Sequence, residues 1–359
     1  MSKSLKIFFI FSFSIIFVLF TLILNKPSSS TNNENAQQHV STLIEKKQEI
    51  DYREYFVQPT YSDENIDLSN FNFNGKCRDP FKCRPNDEHD LIFTGIKYND
   101  NKKWFSHKKL IKISTNLMKN TVPNARKICV VYDDDENLIK FINECGFDVI
   151  QINPMENKNV NPAIDRFLQL KKYLNHHGGE IKRVALIDFR DVFFFADGFQ
   201  TISDEEVVFT RECTYYKVNK TICNDYTQKL NNAWMKKCYG EEIAEQYRKE
   251  KKAIHNVGMI IGGIKPFMQL LDVFLKEIER KKNEIHIWGM DNSMLNFLHH
   301  SGAFTGINLT VNTFSQRIAF TRRGGYEYDA DKKSITNTID GCSPIIRHKL
   351  EGNKMMQLI

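Results

Sequence analysis

The run Val184-Ala185-Leu186-Ile187-Asp188-Phe189-Arg190-Asp191-Val192-Phe193-Phe194-Phe195 sets two carboxylates and a guanidinium between two apolar stretches. Charged side chains wedged between buried segments are costly unless they line a site. The first stretch reads as a short buried strand, and in an open α/β sheet ligands bind at the carboxyl ends of strands. At such an end Asp188 and Asp191 could hold a metal-bound phosphate; equally, they could cap a strand-to-helix turn. Three further groups compete for chemistry. Asp133-Asp134-Asp135 sits after a strand-like run and before a helix-like one, where acidic residues cap the helix and meet its dipole. Asp291 opens the helix-like stretch of Gly289-Met290-Asp291-Asn292-Ser293-Met294-Leu295-Asn296, where capping accounts for it locally. His348 ends Ile345-Ile346-Arg347-His348 and could be structural or a ligand. In His255-Asn256-Val257-Gly258-Met259-Ile260-Ile261-Gly262-Gly263, glycines interleave with apolar residues. That pattern fits a backbone approached closely by a ligand, or a turn at Gly262-Gly263 needing positive φ.

The elements that must position these residues follow a regular alternation. Strands are expected over Leu91–Ile96, Lys127–Tyr132, Phe147–Ile152 and Arg183–Ile187, with helices over Ser106–Lys119, Glu136–Glu144 and Pro162–Asn175 between them. Such βαβ units predict an α/β fold with a mainly parallel sheet flanked by helices, and the right-handed crossover rule brings successive strand ends to one edge. Further strands are expected at Glu206–Thr210, His255–Gly263 and Ser343–His348. Helices are expected over Asn232–Lys251, interrupted near Tyr239-Gly240, and from Pro266, a favoured first-turn residue, to Lys281.

Ahead of this region lies Ile7–Leu24, 18 residues without a charge. That reaches the lower range for a membrane span and exceeds a usual signal-peptide core. Lys3 and Lys6 precede it, which leaves residues 1–6 in the cytoplasm, and no small-residue cleavage site follows. The expected organisation is a cytoplasmic tail (1–6), an uncleaved signal anchor (7–24), a largely flexible polar stem (25–88) and a lumenal domain (89–359). The net charge of +6 comes from 50 basic against 44 acidic residues. The basic residues are scattered, so nucleic acid is not an expected partner. Eight cysteines in an exported chain permit disulfides. Cys77 with Cys83, and Cys213 with Cys223, are candidate staples, whereas Cys129 lies in an apolar run as a buried thiol would. Asn219-Lys220-Thr221 and Asn308-Leu309-Thr310 are N-glycosylation triplets.

Taken in order, the Asp188-Phe189-Arg190-Asp191-Val192 strand end, the Asn256 to Gly263 segment, Asp291-Asn292-Ser293-Met294-Leu295-Asn296 and the late His348 resemble nucleotide-diphospho-sugar transferases of the glycosyltransferase A fold. The resemblance spans Leu91 to His348. It implies a single-pass type II enzyme of the Golgi or endoplasmic reticulum membrane, anchored by its N-terminal helix. Such an enzyme moves a sugar from a nucleotide-sugar donor to a hydroxyl of a glycan, glycoprotein or glycolipid, with Mn²⁺ (or Mg²⁺) on the donor diphosphate. Asp188 would stand near the donor ribose or the metal, and Asp191 and His348 would ligate the metal. Arg190 would neutralise phosphate or brace the carboxylates. Asn256, Gly262 and Gly263 would line the donor-sugar pocket, and Asp291 would orient hydroxyls or assist proton removal. The chain departs from the family at Phe194-Phe195, where Phe-Gln is usual, at Asn292 in place of Gln, and at Gly198-Phe199 in place of Pro-Phe. These positions flank the sugar pocket in the family. A phosphohydrolase of the haloacid dehalogenase type would need a carboxylate where this chain has Arg190. The alternative is a non-catalytic membrane-anchored binding or scaffold protein on the same fold.

Overall fold

The computed structural model describes residues 83–98, 104–152, 161–213, 223–312 and 345–349 in full. It gives the backbone alone of 56–57, 101–103, 214–217, 220–222, 318–320, 326–329 and 334–337. The expected anchor and most of the expected stem lie outside these residues. Among the described residues no helix is long and apolar enough to cross a membrane.

Strand residues here point alternately to two covered faces, so both parities are apolar. In β2 (Asp90–Ile96), β3 (Arg126–Val131) and β5 (Arg183–Ile187), Leu91, Ile128 and Leu186 join one buried cluster while Ile92, Cys129 and Ile187 join the other. The first cluster lies under α3 (Pro162–His177), α6 (Ile264–Arg280) and α7 (Met290–His300). The second lies under α1 (Asn101–Thr121) and α2 (Glu136–Glu144). The result is a helix–sheet–helix sandwich. Asp135 caps α2 by accepting from the backbone N–H of Asn137 and Leu138, as the acidic run predicted, and Asn161 caps α3 by accepting from Ala163.

The main sheet has the order β1-β4-β3-β2-β5-β10-β7-β11. Here β1 is Phe56–Val57, β4 Asp148–Gln151, β7 Val207–Arg211, β10 His255–Gly263 and β11 Leu309–Asn312. From β4 to β5 all neighbours are parallel, as the alternating pattern predicted. The strand β10 runs antiparallel to both β5 and β7, so the sheet is mixed at its centre. Two residues of the expected stem, Phe56–Val57, pair with β4. Asn86 and Asp87 also lie against folded structure, through Asp197 and Asp90.

A small second sheet carries the chain's last described segment back to the centre. β15 (Ile346–His348) pairs antiparallel with β6 (Val192–Phe194) and parallel with β12 (Ile318–Phe320), placing His348 opposite Val192. Phe193, Phe194 and Phe195 are all buried, and Phe194 belongs to the core beneath the sheet. The expectation that Phe194-Phe195 borders a sugar pocket therefore does not hold. Three consecutive phenylalanines here satisfy packing. The segment after β7 forms a hairpin of β8 (Cys213–Lys217) and β9 (Lys220–Cys223), closed by the expected Cys213–Cys223 disulfide. Cys83 carries a free thiol, so the expected staple with Cys77, itself outside the described residues, is not formed. Cys129 is a buried free thiol as anticipated.

Candidate functional site

Asp188 is the first residue beyond β5, and the turn 189–191 delivers Asp191 to the start of β6. Register then does the rest. Because His348 stands opposite Val192, its ring reaches back over both carboxylates. His348 Nε2 lies 3.3 Å from Asp188 Oδ2 and 3.5 Å from Asp191 Oδ1. The three candidate ligand atoms all lie within 4.8 Å of one another. A carboxylate pair three positions apart thus converges with a histidine distant in the chain, as the motifs led one to expect.

The floor of this cluster is a bulge. Asn256 pairs with Thr210, yet the next pair from β10 to β7 is Ile260 with Phe209, so three residues of β10 loop out against none of β7. Bulges re-aim the chain beside functional sites. The bulged Gly258 accepts from the Asp188 backbone N–H at 2.8 Å and donates its own N–H to Asn256 Oδ1 at 2.8 Å. A Cβ on Gly258 would overlap the His348 ring and the Asp188 carboxylate. Glycine is required here by close approach. Gly262 and Gly263 serve elsewhere. They pair with Val184 and Arg183, at the end of β5 away from Asp188, and a Cβ on either would strike the backbone of 204–207. Their assignment to a donor-sugar pocket is corrected to close strand packing.

The charge balance depends on a residue the motifs did not single out. Arg166, buried on α3, bonds Asp188 Oδ1 at 2.6 Å and Asp291 Oδ2 at 3.4 Å, and also reaches the Ile187 carbonyl. Its position within Ala163, Ile164, Phe167 and Leu170 puts it on the inward stripe of an amphipathic helix. A lone arginine on that stripe was the available signal. Arg190 is exposed, with its guanidinium beside the Tyr98 hydroxyl and near His107. The bracing expected of Arg190 falls to Arg166.

Burial alone would raise the pKa of Asp188, but Arg166 and His348 outweigh it and hold this carboxylate well below its usual range. Asp191 is likewise lowered, with burial outweighed by His348 and Lys349. Burial would lower His348, and the two carboxylates reverse the sign and raise it. Asp291 goes the other way. Burial, opposed by Arg166 and reinforced by Asp188, pushes it up to about 6. Lys349 follows His348 with a left-handed φ of 65°, its backbone N–H on the Asp191 carbonyl and its Nζ 3.7 Å from Asp191 Oδ2. A lysine held at positive φ is uncommon and marks a constrained position.

Beside this cluster opens a cleft of about 180 Å³, lined among others by Asp188, Glu212, Asn256, Trp288, Asp291 and Lys349. Asn256, expected at a donor pocket, lines it and donates to Glu212 at 2.8 Å. Asp291, in the first turn of α7, faces it as well. Asn292 replaces the expected glutamine and is used structurally. It accepts from the Val257 N–H and donates to Asn231, tying the bulge to α4 (Lys229–Tyr239). Trp288, 69% exposed, stands at the rim.

The donor set of Asp188, Asp191 and His348 is two carboxylate oxygens and one imidazole nitrogen, which suits a borderline-hard dication. Gly258 leaves clear the space a side chain would fill. The residues present therefore fit such an ion. Compared with known proteins, the chain matches no family model and no curated protein sequence.

Proposed function

We propose that this chain is a metal-dependent glycosyltransferase that takes a nucleotide-sugar donor in the cleft at the end of β5. The observation that carries the proposal is the convergence of Asp188, Asp191 and His348 on one point, beside that cleft and over a bulge that admits only glycine. In this proposal those three residues hold Mn²⁺ or Mg²⁺, which, when bound, neutralises charge developing on a diphosphate leaving group. Arg166 keeps Asp188 ionised and correctly turned, and Lys349 at the cleft edge meets phosphate oxygens. Asn256 and Glu212 offer hydrogen bonds to sugar hydroxyls, and Trp288 offers an apolar face on which a sugar ring can stack. Asp291, with its raised pKa, is suited to take up a proton from an acceptor hydroxyl. The glycosyltransferase A type of fold, the lumenal setting and the membrane anchor belong to the same proposal. They are supported by the mostly parallel sheet ending on the acidic pair and by the uncharged Ile7–Leu24 stretch.

The test is incubation of the purified full chain with Mn²⁺ and a panel of nucleotide sugars, following release of nucleoside diphosphate. Turnover that disappears in Asp191→Ala is the expected result. No turnover from any donor, with the fold intact, would move the chain to the non-catalytic alternative.

A further inference from the structure

A second group of potential ligands stands apart from the carboxylate cluster. His255 opens β10, and His299 and His300 close α7. Their candidate ligand nitrogens all lie within 4.8 Å of one another. The rings of His255 and His299 are 4.3 Å apart, and His300 lies 5.3 and 5.2 Å from the two.

The ring of His255 is 3% exposed, and neither of its nitrogens has a hydrogen-bond partner. An imidazole buried that way costs free energy unless something binds a ring nitrogen. The ring of His300 is already oriented. Its Nε2 lies 2.7 Å from the Ala253 carbonyl, which can only accept, so Nε2 carries the proton and Nδ1 is the lone-pair nitrogen. A ligating histidine typically has its other nitrogen so engaged. The backbone is fixed too. Asn296 accepts from the His255 N–H and donates to the His255 carbonyl, each at 2.8 Å, locking the start of β10 to α7.

We infer that His255, His299 and His300 form a second metal site, for a nitrogen-preferring transition-metal dication such as Zn²⁺, pinning β10 to the end of α7. Three imidazoles would leave a fourth coordination position for water, and His299 is half-buried rather than sealed from solvent. The neighbours set the selectivity. Arg211 and Lys252 lie close enough to disfavour charge on the rings, and Glu250 offsets them near His300. With no carboxylate among the ligands, the site disfavours hard ions such as Mg²⁺ and Ca²⁺, which need oxygen donors. Burial, then mutual repulsion, lowers His255 to about 2 and His299 to about 4, so both are in the neutral, ligating form at pH 7. Packing against Phe209 and Tyr247 accounts for the rings' apolar faces but not for the orphaned nitrogens of His255. One consequence reaches the cleft. The strand pinned at His255 carries Gly258 three residues on, and the helix pinned at its end carries Asp291 at its start.

The test is a Co²⁺ titration, followed by visible absorption, of the full chain purified without a histidine tag. The samples are the native chain, Asp191→Ala, His255→Phe and His299→Ala, with folding checked by near-UV circular dichroism. His255→Phe keeps a ring in the packing, and His299→Ala alters a half-exposed position, so each variant supports the other. An intense four-coordinate band is expected in the native chain and in Asp191→Ala, displaced by Zn²⁺, and lost in both histidine variants. No band in the native chain, or an unchanged band in both folded histidine variants, would overturn the inference. Asp191→Ala keeps this outcome separate from that of the carboxylate cluster.

Discussion

Gly258 shows how narrow the tolerance at the acidic cluster is. In Gly258→Ala the methyl group would overlap His348 and Asp188, so one of them must shift. Overpacking of this kind costs about 1–3 kcal/mol, and cation binding should fall further than stability does, as parallel thermal melts and metal titrations would show. Arg166 is the counterweight. Arg166→Met leaves Asp188 and Asp291 buried without their shared cation, a loss of about 3–5 kcal/mol by the behaviour of broken buried pairs, measurable by denaturant unfolding. Asp291 gives a pH signature. Its pKa is raised from 3.8 to about 6 in the folded chain, so between those values the folded form holds a proton that the unfolded form has released. Stability from this group therefore falls as pH rises across that window and stays low above it. With chelator present, Asp291→Asn should gain stability relative to the native chain from pH 4 to 6, keep that gain at pH 7, and lose turnover. Stability curves that run parallel across that range would refute the assignment. Asp188, Asp191 and His348 are legible through the order and spacing of the motifs rather than locally, because capping explains carboxylates after a strand equally well and a late histidine can be structural. Gly258, Arg166 and Lys349 are harder to read, since their roles come from neighbours distant in sequence.

At the scale of elements, the most informative strand is β10. Its apolar and glycine pattern predicts a strand, and a strand is found over the same residues. Its antiparallel direction and its bulge are invisible in that pattern, because a strand buried on both faces reads alike either way round. This explains why Gly262 and Gly263 look like site glycines while Gly258, one among three, is the one against Asp188 and His348. The helix α2 is legible through its acidic cap and α3 through its apolar periodicity. The pairing of β6 with β15, which brings His348 home, joins residues about 150 positions apart and no local signal announces it. The clamp of α7 on β10 through Asn296 is testable. Asn296→Ala would leave the buried N–H and C=O of His255 unpaired, costing about 1–3 kcal/mol, whereas Asn175→Ala, at an exposed position of α3, should cost far less in the same denaturant assay.

For the molecule as a whole, the α/β class and the order of elements follow from alternating periodicity, and the mixed sheet follows from the long return connections. The cleft has acidic groups in its floor, a lysine at its edge and an exposed tryptophan at its rim. Unaided, such a floor repels a diphosphate. A cation held by Asp188, Asp191 and His348 would reverse that, so nucleotide affinity should depend on the ion rather than on the cleft alone. The decisive measurement is calorimetric titration of nucleoside diphosphates into the purified chain, with Mn²⁺ and then with chelator. Binding with Mn²⁺ that is lost in chelator and lost in folded Asp191→Ala is the expected result. Equal binding with and without the ion, or undiminished binding in Asp191→Ala, would contradict it.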